Sequence, residues 1–284
     1  MISVVLAASL MFSNADAQLA YNTAKELVEE CTPRDAGTIR GRIAANKILD
    51  CASSVGIDVR RDFFTAKTPN GERQFVNLYG EFKSDDTNRW VVLISHYDTK
   101  PGIKCPGAND GASTTGLLVA LAQALVDWET PRGNVLFVWT DGEECCRQYS
   151  ANDGLQGSRR AVEWIKERNI PVQAVICLDM LGDRNLNIKL PQNGNATLAK
   201  IAMHAARRQG LKGLISQADE IVTDDHVPFL ENGYKAIDLI DFEYGSKPGL
   251  NDYWHTDKDT VDKISVESLE KSGRLVAEML NILL

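Results

Sequence analysis

Hydrophobic and polar positions along this chain fall into two rhythms that take turns. Residues 18–54 read as helical, and "TIRGRIAANKILDCASSVG" gathers its apolar residues on one helix face before stopping at Gly56. "DVRRDFFTA" and "QFVNLYGEF" then read as two strands around the turn "KTPNGER", a hairpin pattern. From there apolar strand runs and amphipathic helical runs alternate. The strands are "RWVVLISHYD", "NVLFVWTD", "VQAVICLDML" and "KAIDLID". The helices are "GASTTGLLVALAQALVDW", "GSRRAVEWIKERN", "ATLAKIAMHAARRQG" and "SVESLEKSGRLVAEMLNILL". Such alternation predicts a three-layer α/β/α fold around a mixed, mostly parallel central sheet, with the hairpin as its antiparallel piece. No linker or internal repeat breaks the pattern, so residues 18–284 are expected to form one domain.

The first seventeen residues change this picture. "MISVVLAASLMFSNADA" holds a short apolar core followed by Ala-Asp-Ala, which reads as a signal peptide cut after Ala17. Export to the periplasm or the outside is therefore expected, although no Lys or Arg precedes the apolar core. That core is too short to span a bilayer, and no later segment is long and apolar enough to do so, so no membrane span is expected. A net charge of -8 weighs against a nucleic-acid partner. The six cysteines form no C-x-x-C pair, and in an exported protein Cys31 and Cys51 are a candidate disulfide.

Candidate chemistry lies at the strand ends. In open α/β sheets, sites gather outside the carboxyl ends of the strands. "VVLIS" is followed by His96 and Asp98. Asp110 sits in the next loop, before a helix. "VLFVWT" runs into Asp141, Glu143 and Glu144, and "AVICL" into Asp179. "TDDHVPF" brings Asp224, Asp225 and His226, and "YWHT" brings His255. Three of the four histidines fall in these loops, each with carboxylates. Histidine nitrogen and carboxylate oxygen are the usual ligands of a catalytic zinc with an open position. Adjacent glutamates at the end of a buried strand repel one another unless a cation lies between or beside them. If strand geometry persists, Glu143 and Glu144 point opposite ways, one to a metal and the other to substrate.

Several segments carry a family resemblance. "FFTAKTPNGERQFVNLYG", "SHYDTK", "GANDGAS", "DGEECCRQYSANDGLQGSR", "CLDMLGD", "DDHVPFLENG" and "YWHT" resemble the M28 clan of zinc exopeptidases. Within that clan the chain is most similar to glutaminyl-peptide cyclotransferases, from about residue 35 to the end. The path from Glu144 to Gly157-Ser158 resembles the cyclases most, being longer than in common aminopeptidases. The resemblance implies a zinc-exopeptidase-like fold and one zinc bound by Asp110, Glu144 and His255. It implies Glu143 as proton shuttle, with Asp179 and Asp224 in a supporting carboxylate network. It implies Trp254 as a pocket wall, and Tyr149 stands where animal cyclases tend to place a Trp. In two-metal aminopeptidases the positions of His96 and Asp179 bind a second zinc and that of Asp110 bridges, so two zincs are the alternative.

The supporting residues are read from their neighbours. Asp98 is expected to orient His96 or a neighbouring ligand, and His226 to hydrogen-bond a ligand or carboxylate, with Asp225 beside it. The loop "DFEYGSKPGLND" is longer than in animal cyclases and places Asp241, Glu243 and Asp252 near the site, where a negative charge would hold a substrate α-ammonium, as suits an aminopeptidase. The implied activity is conversion of an N-terminal Gln to pyroglutamate with loss of ammonia, on a peptide or protein N-terminus. The alternative is an M28 aminopeptidase using an activated water. A third reading, an inactive binding domain on the same fold, is disfavoured by the complete ligand set.

Overall fold

The computed structural model describes residues 9–84 and 88–284. The expected helical stretch 18–54 is two helices, α1 (Asn14–Cys31) and α2 (Ile39–Ser54). Pro33 separates them, because a residue preceding proline is pushed to extended backbone, as Thr32 is. The hairpin strands are β1 (Val59–Thr68) and β2 (Gly71–Phe82), which reach far into the expected turn. Next come β3 (Trp90–His96), α3 (Thr114–Val126), β4 (Asn134–Thr140), α4 (Gln156–Glu167) and β5 (Val172–Asp179). The chain continues through β6 (Ile188–Leu190), α5 (Ala196–Arg208), β7 (Ile215–Gln217), α6 (His226–Glu231), β8 (Ala236–Ile240) and α7 (Val266–Leu283). The elements β6, β7 and α6 escape the sequence pattern because three to six residues show no period.

Among the described residues eight strands form one sheet, in the order β1-β2-β4-β3-β5-β8-β6-β7. The central four, β4-β3-β5-β8, are parallel, and the hairpin joins antiparallel through β2. Side chains alternate across each central strand. Val91, Leu93, Val135, Phe137, Ala174, Ile176, Ile237 and Leu239 face a large core with α1, α2, α3, α5 and α7. Val92, Ile94, Leu136, Val138, Val175, Cys177 and Ala236 face a smaller core on the side of α4 and α6. Both faces are covered, which explains why these strands read as continuous apolar runs. Among the described residues no helix is long and apolar enough to cross a membrane.

The expected cut after Ala17 falls inside α1, where Ala17 is fully buried. Residues 1–8 of that expected signal lie outside the described residues. Leu10 is pinned to α7, donating its N–H to Asn281 Oδ1 at 2.8 Å and accepting from Asn281 Nδ2 at 3.0 Å. Phe12 is buried against Gly273, where a Cβ would overlap its ring. Ser13 caps α1 in a reciprocal box with Asp16. A chain beginning at Gln18 loses all three features. Each buried Leu or Phe contributes about 2 kcal/mol and the cap about 1 kcal/mol. Thermal melting of such a truncated chain is expected to fall by about 10 °C; an unchanged melting temperature would show that residues 9–17 are dispensable.

The expected Cys31–Cys51 disulfide does not form, and both remain free thiols. Cys31 points into the core from α1, whereas Cys51 is half-buried on α2.

Candidate metal centre

The central strands deliver their last side chains to one place. In register, Thr140, His96, Asp179 and Ile240 lie side by side across β4, β3, β5 and β8. They share the face of Val138, Ile94 and Cys177, two residues earlier on their strands. His96 and Asp179 thus rise from the sheet as neighbours, with His96 Nε2 3.2 Å from Asp179 Oδ1.

Asp110 is carried over this edge by a broad turn, Ala108–Ser113, before α3. Gly111 has φ +90° there, and a Cβ on it would stand 3.0 Å from the His96 ring, so glycine alone lets the turn close. A buried carboxylate fixes the turn. Asp259 accepts the Asn109 N–H at 2.7 Å, the Asp110 N–H at 3.1 Å and the Tyr244 hydroxyl at 2.6 Å. Asp98 fixes the neighbouring loop in the same way. It accepts the N–H groups of Gly142 (3.0 Å), Glu143 (3.1 Å) and Glu144 (3.1 Å). Asp153 does so for Cys146, Arg147 and Gln148.

On this frame two triads meet at Asp110. His255 Nε2 lies 3.2 Å from Asp110 Oδ2 and 2.8 Å from Glu144 Oε1. His96 Nε2 lies 3.1 Å from Asp110 Oδ1. Each triad, Asp110–Glu144–His255 and His96–Asp110–Asp179, gathers its donor atoms within 4.8 Å of one another. His255 is held at φ +54°, a costly backbone for a non-glycine residue, and its ring stacks on Trp254 at 3.8 Å between centroids. Burial alone would depress the His255 pKa, but hydrogen bonds to Asp110 and Glu144 prevail and raise it to about 9. Burial raises Glu143 well above the carboxylate range, and the neighbouring Glu144 raises it further. Burial also pushes Asp179 up to about 8, against the pull of His96.

A cavity of about 700 Å³ opens beside the triads. Its floor is Asp110, Glu143, Glu144, Asp179, Asp224 and His255, and its walls include Tyr149, Ile221, Phe242 and Trp254. The Tyr149 hydroxyl donates to Glu143 Oε1 at 2.8 Å.

Two sequence expectations change. Asp241 does not face the cavity. It is fully buried and accepts the N–H groups of Asn187 (2.8 Å) and Glu243 (3.0 Å). The adjacent Phe242 and Glu243 line the cavity instead, and Glu243 is paired with Lys189 at 3.1 Å. His226 meets neither a ligand nor a carboxylate; its Nε2 accepts from Asn193 Nδ2 at 3.0 Å. Asn193 in turn holds the backbone of Val222 on the cavity wall. Asp98 holds to its expected part: its carboxylate accepts from residues 142–144, Glu144 among them, and it also stands against His96, with its backbone carbonyl 3.2 Å and its Oδ1 3.7 Å from His96 Nδ1. Asp225, as a neighbour of the site, accepts from Thr140 at 2.5 Å.

Sequence reasoning missed Asp259, Lys100 and Asp238. Asp259 lies four residues after His255, and nothing local reveals that it caps the Asp110 turn. Lys100 Nζ is 3.4 Å from Glu144 Oε2. Asp238 had a readable signal, a carboxylate in the middle of the apolar strand "KAIDLID".

Residues 77–280 match the family model described as "Peptidase family M28". The chain belongs to this family. This M28 chain is 25% identical to a glutaminyl-peptide cyclotransferase of Drosophila melanogaster, over 94% of its own length and 81% of the relative's. Its fold is similar to the crystal structure of an Acidobacteriales bacterium glutaminyl cyclase, with 30% identity and a TM-score of 0.89. That match covers 100% of this chain and 98% of the other. It is also similar to a Zn-dependent exopeptidase from Parabacteroides distasonis, with 25% identity, a TM-score of 0.82, and coverage of 96% and 99%.

The family and the exopeptidase neighbour point to zinc, and the donor set fits it. Asp110 Oδ2 and Glu144 Oε2 are buried beside His255 and Lys100, yet neither accepts an aligned hydrogen bond. Two carboxylates and an imidazole around orphaned oxygens suit a zinc site that keeps a position open. Zinc must displace the proton that His255 carries below a pKa of about 9. Apparent zinc affinity is therefore expected to rise with pH and to flatten above that value. Calorimetry at pH 7 in buffers of different ionisation enthalpy should find about one proton or more released per zinc; binding without proton release would exclude His255 as a ligand.

Proposed function

We propose that this protein is a zinc-dependent glutaminyl-peptide cyclotransferase. The observation that carries this reading is the setting of Glu143. It is only 5% exposed, and the loop 145–155, held by Asp153, folds Tyr149 back onto it. The base is thus fixed on the cavity floor, where the amine of a bound N-terminal residue would meet it. The similarity to glutaminyl cyclases along nearly the whole chain supports the same reading. Of the acidic residues that could anchor an aminopeptidase substrate's ammonium, Asp241 is buried on backbone N–H groups and Glu243, on the cavity wall, is already paired with Lys189.

Asp110, Glu144 and His255 would hold one zinc. When bound, zinc supplies polarisation of the substrate's γ-carboxamide carbonyl. His96, protonated between Asp110 and Asp179, contributes positive charge where a second ion would otherwise be needed. Burial disfavours its charged form, but hydrogen bonds to Asp110, Asp179 and Asp98 raise its pKa well above normal. The substrate's α-amine attacks its own γ-carbonyl carbon, so binding one residue aligns both reactants. Glu143 accepts the proton leaving the amine and returns it to the departing ammonia. Tyr149 holds one Glu143 oxygen in place during both transfers. Asp179 and Asp224 border the same space, and Asp179, pushed up to about 8 by burial, keeps a proton in the network near neutral pH.

The substrate is a peptide or protein N-terminus. The test is product analysis of zinc-loaded protein with peptides beginning in Gln, Leu or Ala. Loss of ammonia from the Gln peptide alone is expected. Release of free N-terminal residues would replace this reading with the aminopeptidase.

A further inference from the structure

Directly beneath the active-site rung lies a second one. Val138, Ile94, Cys177 and Asp238 are in register across β4, β3, β5 and β8, each two residues before a member of the upper rung. Three of the four are apolar or thiol side chains of the smaller core. Asp238 breaks the layer with a carboxyl that is fully buried. Among the described residues, neither of its oxygens accepts a hydrogen bond.

The polar groups facing it are the Asp224 carboxyl and the Cys177 thiol, within 4.8 Å of it and of each other. Asp224 descends from the turn before α6 and also lines the cavity. Its Oδ1 accepts the Asp225 N–H, while its Oδ2 is buried and unpartnered, like both oxygens of Asp238. Two buried carboxyls in contact cannot both be ionised, and a shared proton satisfies the orphaned atoms on each side.

We propose that Asp238 is a positioning residue: protonated, it donates a hydrogen bond to Asp224 and fixes that carboxylate as an acceptor facing the cavity. The proton belongs on Asp238 because Asp224 already has a backbone donor and solvent access through the cavity, whereas Asp238 has neither. Burial, reinforced by the charges of Asp224 and Asp179, raises the Asp238 pKa well above normal. What Asp224 does for the substrate rests on the cyclase reading; the hydrogen bond beneath it does not.

The test compares Asp238→Asn with Asp238→Leu in zinc-loaded protein. The Asn amide still donates to Asp224, so kcat for a Gln-initiated peptide should stay within about threefold of wild type. Leu donates nothing, so kcat should fall about tenfold or more with KM little changed. Equal activity of the Leu variant overturns the proposal, as does an Asn variant as impaired as Leu. If the Leu variant does not fold, infrared difference spectra of wild type and Asp238→Asn decide. A protonated-carboxyl C=O band at pH 8, lost in the variant, is expected, and its absence overturns the proposal. A wild-type protein that cyclises nothing but shows this band would overturn the function and leave the hydrogen bond standing. Loss of one bound zinc in Asp238→Asn would overturn the proposal, because Cys177, Asp224 and Asp238 would then be holding metal.

Discussion

Glu143→Gln is expected to lower kcat for cyclisation by about 10²–10⁴-fold, the range contributed by a positioned general base. The substitution is close to isosteric. The glutamine side-chain oxygen still accepts from Tyr149, and the backbone N–H at 143 still donates to Asp98. What disappears is the capacity to take up a proton. The Asp110, Glu144 and His255 donors are untouched, so zinc content should match wild type. KM should change by no more than about threefold, because a residue acting only in proton transfer adds little to ground-state binding. Stability should hold or rise, since Glu143 and Glu144 repel each other when both are charged. The measurements are initial rates of ammonia release, zinc by elemental analysis, and thermal melting. A variant that keeps full zinc and more than about a tenth of wild-type kcat would remove Glu143 from the proton-transfer role.

The reach of the sequence follows a physical line. The layer architecture and the central strands were readable because buried parallel strands are continuous apolar runs with helical runs between them. The cluster of donor side chains was readable for a related reason. A parallel sheet exposes all its carboxyl ends on one edge, so His96, Asp110, Glu144, Asp179 and His255 had to converge if they followed successive strands. Asp241 failed by one position. β8 ends at Ile240, and the following turn sends Asp241 inward and Phe242 and Glu243 toward the cavity. Side-chain direction in a turn depends on local dihedrals that no periodicity encodes. The roles of Asp98 and Asp259 depend on which backbone loop crosses each carboxylate, 44 to 150 residues away in the chain. The N-terminal stretch was ambiguous in principle. An apolar run followed by small residues serves a signal sequence, and it serves equally to dock Leu10 and Phe12 on α7.

Asp98→Asn is expected to weaken zinc binding by about 10–100-fold, the cost usual for disturbing a group that orients a metal ligand. The carboxylate divides its work between two oxygens. Oδ1 accepts from Gly142 and Glu143, and Oδ2 accepts from Glu144. An asparagine placed with its oxygen toward Gly142 and Glu143 presents its NH₂ to the Glu144 N–H, donor against donor. The peptide at Glu144 must then shift, and Glu144 is the residue whose Oε1 meets His255. The flipped amide keeps Glu144 in place but leaves two donors unsatisfied, which costs more. The damage should therefore concentrate on the metal ligand rather than on Glu143. Asp98→Ala removes both acceptor oxygens, and with them all three bonds, at a fully buried position. Each buried N–H left without a partner costs about 1–3 kcal/mol, and the charged acceptor places these bonds toward the upper end. That variant should lose at least about 3 kcal/mol of stability even without metal. The two substitutions separate the roles. Zinc competition with a chromogenic chelator reports the first, and urea unfolding of the metal-free protein reports the second. If Asp98→Asn binds zinc as tightly as wild type, Glu144 is not positioned through its backbone, and the ligand geometry must come from His255 and Lys100 instead.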